Sequence, residues 1–133
     1  MKKKYLLLML LAVMALFLIP VSVQAAAAKP GTVKLSSIKA TDYNKINIKW
    51  KKPSGKFTNY CIYYREKDTN GKWIKIKTVN SKTLSYTHTS SAKYPIATGE
   101  TYQYTVRAYN KKTKQYGNYN KSGLTTKTRP QQV

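Results

Sequence analysis

From residue 45 to 51 the chain reads Lys-Ile-Asn-Ile-Lys-Trp-Lys, with Ile46, Ile48 and Trp50 at every second position and polar residues between them. A period of two belongs to a pleated strand, whose successive side chains point to opposite faces. The stretch therefore predicts a strand with one apolar and one wet face. The alternation recurs in Asn59–Glu66, where Tyr60, Ile62 and Tyr64 oppose Cys61, Tyr63 and Arg65. It recurs again in Thr101–Tyr109, where Tyr102, Tyr104, Val106 and Ala108 oppose Gln103, Thr105 and Arg107. Lys72–Val79 predicts a further strand with Ile74 and Ile76 inward and Trp73 on the other face. Weaker runs at Thr32–Thr41, Leu84–Thr89 and Ser122–Thr128 bring the number of expected strands to seven.

Turn residues separate the runs. Pro53 and Gly55 break the chain after the second strand, and Asn70-Gly71 is a hairpin signal between the third and fourth. No helical periodicity of useful length and no internal repeat is present. Seven short strands in about a hundred residues, each half apolar, predict an all-β, antiparallel, immunoglobulin-like sandwich of two sheets packed face to face.

Four local patterns, in this order and spacing, resemble a fibronectin type III domain of the kind found in exported bacterial proteins. Ile46–Trp50 resembles that family's second strand, with Trp50 in the core. Tyr60–Glu66 with Asn70–Ile76 is similar to its third and fourth strands, and Ser85–Thr89 to its short segment before the crossover, with His88 in place of the usual Asp. The run from Ile96 through Gly99, Tyr102, Tyr104 and Val106 to Ala108 resembles its sixth strand. Ile96 stands where the family usually has Leu, which keeps the apolar contact. The resemblance spans residues 30 to 129 and implies structural roles for Trp50, Tyr102, Tyr104 and Val106. It implies that Tyr102 forms a tyrosine corner, its hydroxyl bonded to the backbone of the preceding loop.

The amino terminus changes the accounting. Lys2–Lys4 followed by the fifteen apolar residues Tyr5–Ile19 and the small-x-small end Val23-Gln24-Ala25 reads as a signal peptide, 1–25, cleaved after Ala25. The apolar run is shorter than the roughly 20 residues of a membrane span, so export and release is expected and an anchored form is the alternative. A flexible lead at 26–31, a sandwich domain at 32–129 and a tail at 130–133 complete the expected organisation. Without Lys2, Lys3 and Lys4, 22 basic residues face four acidic ones, a net charge of +18 on a secreted, extracellular domain. Such an imbalance favours anionic partners, although lysines on strand faces also keep edges soluble.

Catalytic chemistry has little to work with. His88 is the only histidine and is expected in a loop; Cys61, the only cysteine, sits by parity on an outer face. Asp42, Glu66, Asp68 and Glu100 form no pair at recognisable spacing. One Cys and one His do not make a zinc site, and no phosphate-cradling loop or nucleophile motif occurs. The chain is expected to be non-enzymatic, without a cofactor, and monomeric.

What remains is a loop. Lys111, Lys112, Lys114 and Lys121 bracket Tyr116 and Tyr119 between the last two strands. Aromatic faces that stack and ammonium groups that follow a charged backbone suit a polyanion. The expected partner is an anionic polysaccharide or cell-wall polymer, with nucleic acid bound only nonspecifically. An extracellular protein is the runner-up, with the domain as an adhesion or spacer module. A solvated loop without any ligand accounts for the same residues, and Tyr63 and Trp73 are expected to cover the sheet by ordinary cross-strand packing.

Overall fold

The computed structural model describes residues 28–69 and 71–131. The expected signal segment and Asn70 of the hairpin signal lie outside them. Eight strands follow in order: β1 (Lys34–Asp42), β2 (Lys45–Lys51), β3 (Asn59–Glu66), β4 (Ile74–Asn80), β5 (Ser85–Thr89), β6 (Thr101–Asn110), β7 (Gln115–Tyr116) and β8 (Leu124–Lys127). One sheet has the order β1-β2-β5; the other has β4-β3-β6-β7, with β8 also paired to β6. All pairings are antiparallel. The strand beyond the expected seven is β7, a two-residue rung in which Tyr116 lies opposite Tyr109.

The core is where the period-two pattern places it. Ile46, Ile48 and Trp50 of β2 face Tyr60, Ile62 and Tyr64 of β3 and Tyr102, Tyr104, Val106 and Ala108 of β6, all buried. Full burial of side chains of this size stabilises by roughly 1.5–3 kcal/mol each before the entropy of ordering is subtracted. Trp50 meets Tyr60 edge-on at 5.4 Å, an arrangement that the aromatic quadrupoles favour.

Two expectations need correction. Ile74 was expected inward beside Ile76 but is 47% exposed, whereas Ile76 is buried. The register shifts between Ile62 and Tyr63, which pair with Lys77 and Lys75, so Ile76 is an extra residue on β4. A bulge of this kind bends the strand, and Ile74 lies beyond it at the start of an edge strand. His88 is not a loop residue. It is 3% exposed within β5, between the sheets.

His88 completes a polar cluster inside the sandwich. Its Nε2 lies 3.0 Å from the Tyr94 carbonyl, which only accepts, so Nε2 carries the hydrogen. Its Nδ1 then accepts from the Tyr104 hydroxyl at 2.6 Å. Tyr64 stacks on Tyr102 at 5.9 Å and donates its hydroxyl to the Pro95 carbonyl at 3.1 Å. The Tyr102 hydroxyl accepts from the Ala97 N–H at 2.7 Å, pinning the chain that crosses between sheets to the start of β6.

Candidate functional site

The outer faces of the two sheets differ. On that of β1-β2-β5 the outward Lys45, Lys49 and Lys51 are exposed, whereas that of the larger sheet is covered by its own chain. After β7, residues 117–123 fold back over β6. The Gly117 N–H donates to the Ala108 carbonyl at 2.8 Å, Thr105 Oγ1 to the Asn120 carbonyl at 2.9 Å, and Gln103 Nε2 to the Ser122 carbonyl at 3.2 Å. Asn120 Oδ1 in turn accepts from the N–H groups of Ser122 and Gly123 at 3.1 and 3.3 Å. Gly123 has φ +61°, and a Cβ there would collide with the Tyr104 carbonyl and meet the Trp73 ring at 3.1 Å. Only glycine lets the segment lie this close.

Arg107 organises the covered face. Alternation along β6 turns it outward between Val106 and Ala108, and Cys61 of β3 lies opposite. Its Nε donates to the Tyr63 hydroxyl at 2.7 Å. Its guanidinium carbon stands 3.9 Å from the ring centre of Tyr116, 5.0 Å from Tyr63 and 5.2 Å from Tyr119. Further along, Arg65 lies 4.1 Å over Trp73, and its Nε donates to Gln103 Oε1 at 3.0 Å. Tyr119 joins the two groups, at 5.9 Å from Tyr63 and 6.3 Å from Trp73. Each cation–π contact is worth roughly 0.5–2 kcal/mol, more as water is excluded. The cover leaves Tyr63 6% exposed. Burial pushes its hydroxyl up to about 12, against the smaller opposing effect of the Arg107 hydrogen bond. Cys61, outward by parity, is buried as well, with Sγ 3.9 Å from Thr78 Oγ1.

The candidate loop residues divide into two groups. Lys111, Lys112 and Lys114 occupy the β6–β7 turn with exposed side chains. Thr58 Oγ1 accepts from the Lys111 N–H at 3.0 Å, Asn110 Oδ1 accepts from the Lys112 N–H at 3.0 Å, and Lys114 has φ +56°. Tyr116 and Tyr119 are half-buried on the sheet face. Tyr116 packs on Tyr109 at 4.4 Å and on Arg107, so its ring is already in use. With Lys121, Arg107, Asn118 and Lys29 the two tyrosines line a groove of about 690 Å3 that contains no carboxylate.

Arg107 and Lys29 were not among the sequence-derived candidates. Alternation marks Arg107 as outward, but that the loop returns over it depends on tertiary contacts. Lys29 arrives from the amino-terminal segment, whose Gly31 N–H donates to the Ser54 carbonyl at 2.9 Å, and nothing local in the sequence foretells this. Among the described residues no group of three or more His, Cys, Asp or Glu is placed to hold a metal, and no helix is long and apolar enough to cross a membrane.

The chain is similar in structure to the FN5 domain of Drosophila Lar, with 22% identity, 75% of this chain and 97% of that one covered, and a TM-score of 0.57. It is similar to the sixth fibronectin type III domain of human fibronectin type III domain containing protein 3, with 16% identity, 82% and 94% covered, and a TM-score of 0.61. A fourth domain of this type from human gives 17% identity, 83% and 88% covered, and a TM-score of 0.64. These identities speak to the fold alone. None of the curated proteins matches the chain. The family model of the fibronectin type III domain matches residues 28–121, well over half the chain. With its two antiparallel sheets and the neighbours they match, the chain belongs to the fibronectin type III domain family.

Proposed function

We propose that this domain is a secreted, non-enzymatic binding module that holds an anionic extracellular or cell-surface polymer along the basic flank formed by β6, β7 and the returning 117–123 segment. Fibronectin type III domains commonly serve as protein-interaction or adhesion modules and are generally non-catalytic. The polymer is the finer part of the reading. One observation carries it: a groove lined by Lys29, Arg107 and Lys121 without any carboxylate. Cations gathered without counter-charges keep their field for an external anion. Tyr116 and Tyr119 serve here by fixing Arg107, since their rings pack on its guanidinium. The placement outside the cell rests on the signal-like segment Met1–Ala25.

Retention on immobilised heparin across a salt series tests the reading. The domain is expected to bind at low salt and to elute progressively, and a Lys29→Gln/Lys121→Gln variant to elute earlier. Equal elution of the two proteins would remove the groove from the account. Binding that ignores salt would favour the second reading, a protein partner, which the family's usual role supports.

A further inference from the structure

The four carboxylates of the chain all stand at one end of the sandwich. Asp42 ends β1, Glu66 ends β3, Asp68 lies in the turn that follows, and Glu100 directly precedes β6. Register places these strand ends together: Glu66 lies opposite Tyr102, and the Lys67 N–H donates to the Thr101 carbonyl at 2.9 Å. The described carboxyl-terminal residues are here too, where Asp42, Tyr43, Arg129 and Pro130 line one hollow.

The other end is made by the start of β1, the end of β2, the β2–β3 and β4–β5 connections and the β6–β7 turn. It carries lysines and no carboxylate. Lys34 and Lys51 lie directly opposite one another in register, a like-charge pairing that costs stability. No acidic residue at that end relieves it. Between the β2–β3 and β4–β5 connections, Lys52, Lys56 and Lys82 line a pocket of about 380 Å3 together with Gly55, Phe57 and Ser81. The turn of Lys111 and Lys112 is tied to the same connection, because Asn110 Nδ2 donates to the Lys56 carbonyl at 3.2 Å. A local rule broken at one place without an internal gain points to a partner that supplies the gain.

We infer that this lysine end is the docking face for a linear phosphate polymer, with one phosphate in the Lys52–Lys56–Lys82 pocket and its neighbours along Lys111 and Lys112. The inference rests on the polymer-binding reading above and adds a second contact, at the sandwich end next to that flank, together with the anion; the β6–β7 turn joins the two. Phosphate fits because the only charged side chains lining the pocket are the lysines Lys52, Lys56 and Lys82. Ammonium groups act as point charges that suit a compact multivalent anion, whereas planar carboxylates are best met by the fork of an arginine, and no arginine lines this pocket. The carboxylate-bearing end then faces away, so that the polymer is met end-on.

The test is binding of the full domain to long-chain inorganic polyphosphate over a salt series, with two variants of equal charge. Lys52→Gln/Lys56→Gln/Lys82→Gln removes three charges from the lysine end; Lys45→Gln/Lys67→Gln/Lys127→Gln removes three from the opposite end. All six lysines are exposed, so both variants should melt as the parent does. The first variant is expected to flatten the log–log salt slope by about 2, on the basis of about 0.7 per lost phosphate contact. The second is expected to leave the slope unchanged. Equal losses in both would show that net charge alone is at work and would overturn the inference. Binding of the parent to hyaluronate but not to polyphosphate would overturn the phosphate assignment while leaving the polymer reading intact. Binding to neither would overturn both.

Discussion

His88 of β5 and Tyr104 of β6 share a hydrogen bond of 2.6 Å that joins the two sheets inside the core. The bond requires a neutral imidazole, because Nε2 is committed to the Tyr94 carbonyl and Nδ1 must accept. Removing either partner orphans the other. His88→Ala should cost roughly 1–3 kcal/mol for the unsatisfied hydroxyl alone, plus the cavity. Tyr104→Phe in the same background should recover part of that loss, so the two substitutions should be coupled in a double-mutant cycle. Strict additivity in urea unfolding would contradict the pairing.

The same pair sets the acid limit of stability. Burial lowers the His88 value below its ordinary 6.5, with the Tyr94 hydrogen bond opposing to a lesser degree. The unfolded chain then binds the proton more readily than the folded one. The contribution is therefore whole above about pH 6.5 and is lost as the pH falls from there through the folded value. On the alkaline side, burial raises Tyr60, Tyr63, Tyr64, Tyr86, Tyr102 and Tyr104 above 10. Their contributions are whole below about pH 10 and are lost as the pH rises through the folded values. Melting temperature against pH should show a plateau between about 6.5 and 10 that falls away on both sides. A tyrosinate absorbance step completed near pH 10 with the fold intact would contradict it.

Tyr102→Phe removes the acceptor of the Ala97 N–H and little else. The expected loss is about 1 kcal/mol or somewhat more, or roughly 4–8 °C per kcal/mol in melting temperature for a domain of this size. An unchanged melting temperature would deny the hydroxyl a structural role.

Gly123 and Gly99 separate backbone strain from close packing. Both have positive φ, +61° and +82°, but a Cβ at Gly99 meets nothing within 4 Å, whereas one at Gly123 runs into Tyr104 and Trp73. Gly99→Ala should cost roughly 1–2 kcal/mol, the price of the left-handed backbone alone. Gly123→Ala should cost clearly more and should loosen the covering segment, so that trypsin cuts sooner at the exposed Lys121. Equal effects in thermal melts and proteolysis would mean that the segment is not held down at Gly123.

Alternation made the core legible. The inter-sheet core positions of β2, β3 and β6 are those that a period of two assigns, whereas Cys61, Tyr63 and Thr105 on the other face are buried as well. What escaped depends on contacts between distant segments. Ile74 is exposed because of a register shift against Tyr63 that alternation does not encode. His88 has no carboxylate neighbour in sequence, and its partner Tyr104 comes from the opposite sheet. The candidate loop was visible as six residues, but whether Tyr116 and Tyr119 faced solvent turned on the short rung that sets Tyr116 against Tyr109 and on the return of 117–123 over Thr105 and Arg107. The segregation of the four carboxylates to one end became visible only once the strand ends were paired.

The most direct test of polymer binding is an equilibrium titration of the domain with heparin at several salt concentrations. Binding through the basic flank predicts a logarithm of affinity that falls linearly with the logarithm of salt, steeply enough to report several released counterions. An affinity that does not change with salt, or no binding at the lowest salt, would contradict it.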